Sequence, residues 1–176
     1  VNADGTFDIA DDACGDLPYI TMVKNLGSVT PAANGTYNVS YTIIVKNLGG
    51  TQGVYTLKDT PQFDDDVIIN SGTYSGQASG AMNTIGFTTL ANHVTINAGA
   101  THTYVVTLNV KLDLSPSSSG DNHYTPCSVV GDGPGCTPLY GLYNKAEIDW
   151  TGDNVPDITD DACGDIPAAI GDYVWH

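Results

Sequence analysis

One stretch of this chain is written twice. Residues 4–18 read DGTFDIADDACGDLP and residues 153–167 read DNVPDITDDACGDIP. Ten of the fifteen positions are identical, and the offset from Cys14 to Cys163 is 163 − 14 = 149 residues. All five aspartates of the first copy (Asp4, Asp8, Asp11, Asp12, Asp16) recur as Asp153, Asp157, Asp160, Asp161 and Asp165. Self-similarity at a fixed offset marks a tandem array, in which each unit touches only its neighbours and the seams repeat. The duplication therefore suggests a parse: an acidic junction over 1–18, one module over 19–152, and a second junction with the start of the next module over 153–176. The residues after the two copies differ, Tyr-Ile-Thr-Met-Val-Lys in one case and Ala-Ala-Ile-Gly-Asp-Tyr in the other, so the next module is of another type.

Between the copies the chain is cut into short strand-like runs. Tyr37, Val39, Tyr41, Ile43 and Val45 occupy alternate positions, and so do Tyr104, Val106, Leu108, Val110 and Leu112. A period of two places one set of side chains on one face, the pattern of a half-buried strand. Weaker candidates are 19–24, 54–59, 67–74, 84–90, 93–96 and 142–150. Asn34-Gly35, Gly49-Gly50, Pro61, Asn97-Ala98-Gly99 and Ser115-Pro116 separate them as turn signals. Valine, isoleucine, threonine and tyrosine favour strands, while glycine, asparagine and aspartate favour turns. About seven to nine short strands without a helical period predict an all-β, immunoglobulin-like antiparallel sandwich. Residues 113–141, rich in serine, glycine and proline, form a long insertion tied by cysteines.

The net charge is −15, with five Lys or Arg against 20 Asp or Glu; arginine is absent and Glu147 is the one glutamate. Nucleic acid and anionic membranes both require a dense cationic face, so neither is an expected partner. Mutual repulsion and solubility in a salty exterior are one reading of the acidity. Divalent-cation binding is the other, because aspartate is a short, hard oxygen ligand. At the junctions, Asp4, Asp8, Asp11 and Asp12, with Asp153, Asp157, Asp160 and Asp161, are the candidate calcium ligands. A bound ion would turn their repulsion into ligation and stiffen the hinge. The spacing fits no EF-hand, since no glutamate closes a twelve-residue loop. Asp64-Asp65-Asp66 falls between two strands and reads first as a solvated turn, with an ion loop as the alternative.

Four cysteines in an acidic, strand-rich chain suit an oxidising, extracellular location. No window approaches the roughly 18 apolar residues of a membrane-spanning helix. The cysteine pairing stays open. Cys127 and Cys136 enclose a glycine-rich stretch that can close a local loop. Alternatively Cys163 staples the junction to the insertion through Cys127 or Cys136, and Cys14 does the same for a preceding module. Catalytic signatures are missing: the histidines lack ligand spacing, and no GxSxG elbow or cysteine–histidine pair occurs. His102 is read as an exposed residue on the polar phase of its strand, and Trp150 as core. The chain is not expected to be an enzyme.

The order of these pieces resembles a prokaryotic conserved-repeat domain of unknown function, found many times over in giant surface proteins, notably of Bacteroidetes. The residues that carry it are Gly35–Gly49 (GTYNVSYTIIVKNLG), Tyr55–Pro61 (YTLKDTP), Ala98–Leu108 (AGATHTYVVTL), Gly141–Ala146 (GLYNKA) and Asp161–Pro167 (DACGDIP). They span most of 19–167. The tail Ile170–Trp175 (IGDYVW) is similar to the opening strand of a collagen-adhesin B-type repeat, although the acidic stretch that should come next is missing. The resemblance implies an immunoglobulin-like module of an adhesin or filament at the cell surface, without catalytic residues. The expected role is a stalk or spacer whose partners are adjacent repeats, with side-by-side self-association into a fibre. The rival is an adhesive module that binds a ligand through the 113–141 loop.

Overall fold

The computed structural model describes residues 15–128, 130–132 and 136–167. Asp4, Asp8, Asp11, Asp12 and Cys14, together with the tail Ile170–Trp175, lie outside the described residues. Among the described residues ten strands run in chain order: β1 Ile20–Pro31, β2 Tyr37–Asn47, β3 Gly53–Pro61, β4 Val67–Gly76, β5 Gly80–Ala81, β6 Thr88–Ile96, β7 Thr101–Leu112, β8 Gly131–Asp132, β9 Asn144–Asp149 and β10 Ile158–Cys163. They form two antiparallel five-stranded sheets, ordered β1-β2-β7-β4-β5 and β6-β3-β9-β10-β8.

The two strongest alternating runs became the centre of the first sheet. β2 and β7 pair so that Tyr41 lies opposite Val106 and Val39 opposite Leu108. Val39, Tyr41, Ile43, Val45, Tyr104, Val106, Leu108 and Val110 are all fully buried. In the second sheet Tyr55 and Leu57 of β3 stand beside Ala146 and Ile148 of β9, also buried. The two inner faces meet in a single core. Each large apolar side chain buried there contributes about 1.5–3 kcal/mol relative to exposure.

Without its short edge strands, the order β1-β2-β7-β4 against β6-β3-β9-β10 matches the A-B-E-D and C′-C-F-G sheets of an immunoglobulin domain. One departure is visible. The chain visits the D-like edge, β4, before the C′-like edge, β6, so it crosses between sheets three times between β3 and β7.

Three expectations need correction. The module does not stop at residue 152: Ile158–Cys163, read as junction, is β10, paired to β9 from Ile158↔Ile148 to Ala162↔Asn144. Its aspartates hid a strand because their carboxylates are held by partners in the fold rather than by solvent. The runs 84–90 and 93–96 merge into one strand, β6, which starts only at Thr88 and leaves 84–87 in the preceding loop; it carries a bulge where Asn92 and His93 together oppose Thr56 and His93 takes φ 51°. His102 shares the inward phase of Tyr104 and is half-buried, with Nδ1 2.8 Å from the Tyr55 hydroxyl. Trp150 is half-buried against the core.

Candidate functional site

The repeated motif and the insertion meet at one end of the sandwich. Cys163, fully buried at the end of β10, forms a disulfide with Cys127 across 36 residues of chain. Of the open cysteine pairings this is the staple between β10 and the insertion, and Cys136 packs beside it with Tyr143. The neighbours of Cys163 in the motif are each held. Asp160 accepts from the Lys24 backbone N–H at 2.6 Å, and Asp161 from the Tyr143 hydroxyl at 3.1 Å. Asp165 Oδ1 accepts from Cys127 N–H at 2.8 Å and from the Tyr124 hydroxyl at 3.1 Å. Burial, then the neighbouring Asp161, pushes the Tyr143 phenol above its usual range. Gly141 completes the corner. Its φ is +48°, and a Cβ there would lie 2.5 Å from the Cys127 sulfur, so only glycine fits under the disulfide.

The junction aspartates of the second copy are therefore dispersed among separate structural tasks. Asp157 accepts from Trp150 and Thr151 N–H groups at 2.8 and 3.0 Å, and Asp153 from Val155 N–H at 2.8 Å. Asp160 and Asp161 lie on successive residues of a strand and serve different neighbours. Among the described residues the group that can hold a metal ion is elsewhere: Asp64, Asp65 and Asp66, each offering a carboxylate oxygen within 4.8 Å of the others.

This second acidic cluster sits in the turn between β3 and β4, beneath the insertion. Asp64 and Asp66 are buried and Asp65 is exposed. Asp64 Oδ2 accepts from Thr125 N–H at 2.8 Å, and its Oδ1 from Asp66 N–H at 3.1 Å. Asp66 Oδ1 accepts from Asn122 N–H at 3.2 Å, with the Ser118 hydroxyl at 3.5 Å. Asp66 Oδ2 is fully buried and has no hydrogen-bond partner among the described residues. Leaving such an acceptor unpaired costs about 1–3 kcal/mol, and more for a charged group. Burial, with the charges of Asp65 and Asp66 adding to it, raises the Asp64 carboxyl above its ordinary range, against the pull of its two N–H donors. The ion pairs among the described residues are Lys24–Asp59 and Lys145–Glu147, so neither buried carboxylate of this turn has a lysine partner. A run of three aspartates reads as a solvated turn; the sequence concealed that the insertion folds over it.

On the outer face of the second sheet an open groove is lined by Thr56, Lys58, Asn92, His93, Glu147 and Asp149. Its imidazole Nδ1 is 2.8 Å from Asn92 Oδ1, and its Glu147 is paired with Lys145. Among the described residues no helix is long and apolar enough to cross a membrane. Neither a family model, nor a curated protein, nor a solved structure matches this chain.

Proposed function

We propose that this chain is a spacer module of a secreted bacterial surface or fibre protein, joined end to end with further modules through the repeated acidic motif. The observation that carries this reading is the way the motif's end is used. At one copy, Asp165 is bonded to the insertion by Cys127 and Tyr124, beside the disulfide that ties β10 to it. At the other, Asp16, Leu17 and Pro18 lie against the turn after β2, on glycines that leave no space for a side chain. A Cβ at Gly49 would be 2.1 Å from the Leu17 carbonyl oxygen, and one at Gly50 would be 1.7 Å from an Asp16 carboxylate oxygen. Asn47 locks the same turn, accepting from Tyr19 and Gly49 N–H groups at 3.1 and 3.0 Å. A segment that closes one module while seating on the next leaves no slack between them. Residues 19–167 number 149, the same as the repeat offset.

The resemblance to surface-protein repeats supports an extracellular setting, as does the Cys127–Cys163 disulfide. In that setting the ion for a chain of charge −15 is calcium, which extracellular modules hold with dissociation constants of roughly 0.1–1 mM. Small-angle scattering on two copies of 19–167 fused directly tests the spacer. The expected result is a rod of twice the module length with a narrow range of bending. A freely hinged pair would overturn it. In the rival reading the 113–141 loop is an adhesive tip, and retention on glycan or protein arrays that disappears when the loop is deleted would establish that instead.

A further inference from the structure

We propose that Asp64, Asp65 and Asp66 form a calcium site whose ion holds the 118–125 segment of the insertion down over the turn between β3 and β4. The proposal takes from the spacer reading only the choice of calcium among hard divalent ions; the site itself rests on geometry.

Two observations go beyond the mere run of acids. The first is the orphaned oxygen: Asp66 is 1% exposed, and its Oδ2 has no partner among the described residues. Buried acceptors are paired almost without exception and buried charges are paired or coordinate metals, so a buried carboxylate oxygen without a hydrogen-bond donor, in a group of three acids, is suited to ligate a cation. The second is the covering segment. Asn122 and Thr125 donate backbone N–H groups to Asp66 and Asp64. Gly120 comes so close that a Cβ there would lie 2.0 Å from Asp66 Oδ1 and 2.9 Å from the Asp65 carbonyl oxygen. Chain has thus been brought against a triply negative turn that has no lysine partner.

The spacing suits calcium. Its oxygen ligands stand about 2.3–2.6 Å from the ion, so any two of them lie within about 5 Å of each other, as these three do. Three carboxylates fill part of a shell of about six to eight oxygens and leave the rest to carbonyls and water. Magnesium, which demands a tight octahedron and gives up water reluctantly, suits such a site less well. The exposed Asp65 gives the ion its way in from solvent.

Calcium chloride is titrated into the intact chain, followed by calorimetry, thermal unfolding and amide hydrogen exchange. At about a hundredfold excess over the dissociation constant the melting temperature should rise by roughly 5–10 °C. Exchange at 118–125 should slow, and magnesium should do less on both counts. Asp66→Asn should weaken calcium binding at least tenfold. Asp65→Asn, a change at an exposed position that leaves the fold intact, should weaken it as well. The proposal is overturned if the chain binds no calcium at about 10 mM, tenfold above the weakest extracellular modules. It is equally overturned if both variants bind as the wild type does, or if calcium raises the melting temperature without slowing exchange at 118–125. None of these outcomes bears on whether two fused modules form a rod, so the spacer reading stands or falls separately.

Discussion

Lys24 and Asp59 stand at inward positions of β1 and β3, where apolar residues precede them: Ile20 and Met22 on one strand, Tyr55 and Leu57 on the other. Both are fully buried and form an ion pair between the two sheets. Asn144 Nδ2 donates to the other Asp59 oxygen at 3.0 Å, and the ammonium lies 5.1 Å from the centre of the Tyr41 ring. Burial lowers the Lys24 pKa, and Asp59 opposes that shift. Removing one partner of such a pair strands the other charge. Lys24→Met should therefore destabilise the domain by about 3–5 kcal/mol, while replacing both partners with apolar residues of similar volume should restore much of the loss. Chemical denaturation of the two variants measures this. His102 gives a pH test. Burial lowers its pKa, and a neutral imidazole can accept from the Tyr55 hydroxyl where a protonated one cannot. With the folded-state pKa depressed, its contribution is intact above the ordinary imidazole value of about 6.5 and is lost as the pH falls from there through the folded-state value. Melting temperature should fall over that interval, and His102→Gln should flatten the slope.

At the scale of elements, β10 and the insertion depend on each other. β10 contributes only six residues, Ile158–Cys163, two of them buried aliphatic or sulfur side chains, and its outer edge is covered by β8 of the insertion. The disulfide closes a 36-residue loop, which in the chain-entropy picture stabilises the fold by about 4 kcal/mol. Cys127→Ser with Cys163→Ser should lower stability by about that amount, and should raise amide exchange first in β8 and β10, while β2 and β7 keep their protection. The turn before β10 carries a pH signature of its own. N–H donation from Trp150, and from Thr151, holds the Asp157 carboxyl below its usual range. The support it lends is present above the ordinary carboxylate range and is lost as the pH falls through the lowered value. Asp157→Asn should therefore remove part of the loss of stability in acid.

For the whole molecule, the proposed spacer role makes the acidic motif the place where modules meet. Gly49 and Gly50 touch Asp16–Leu17 so closely that any side chain there must push the preceding segment away. Gly49→Val with Gly50→Val should leave the sandwich core intact but loosen two fused modules, widening the distribution of distances in scattering.

Local pattern alone was enough for the class of fold. Strict alternation in 37–45 and 104–112 specifies two strands with one buried face each, and glycine and asparagine at 34–35 and 97–99 specify turns that the backbone duly makes. The motif written twice, 149 residues apart, was likewise plain in the letters. Tertiary structure decided what the acidic residues do, because a carboxylate is neutral to its setting until its partners are known. Asp160, Asp161 and Asp165 look like solvated junction and prove to be strand and corner residues tied to Lys24, Tyr143 and Cys127. Asp64 and Asp66 look like an open turn and are buried because a loop more than fifty residues further along folds over them. Those contacts join residues far apart in the chain, and no window of sequence contains both partners.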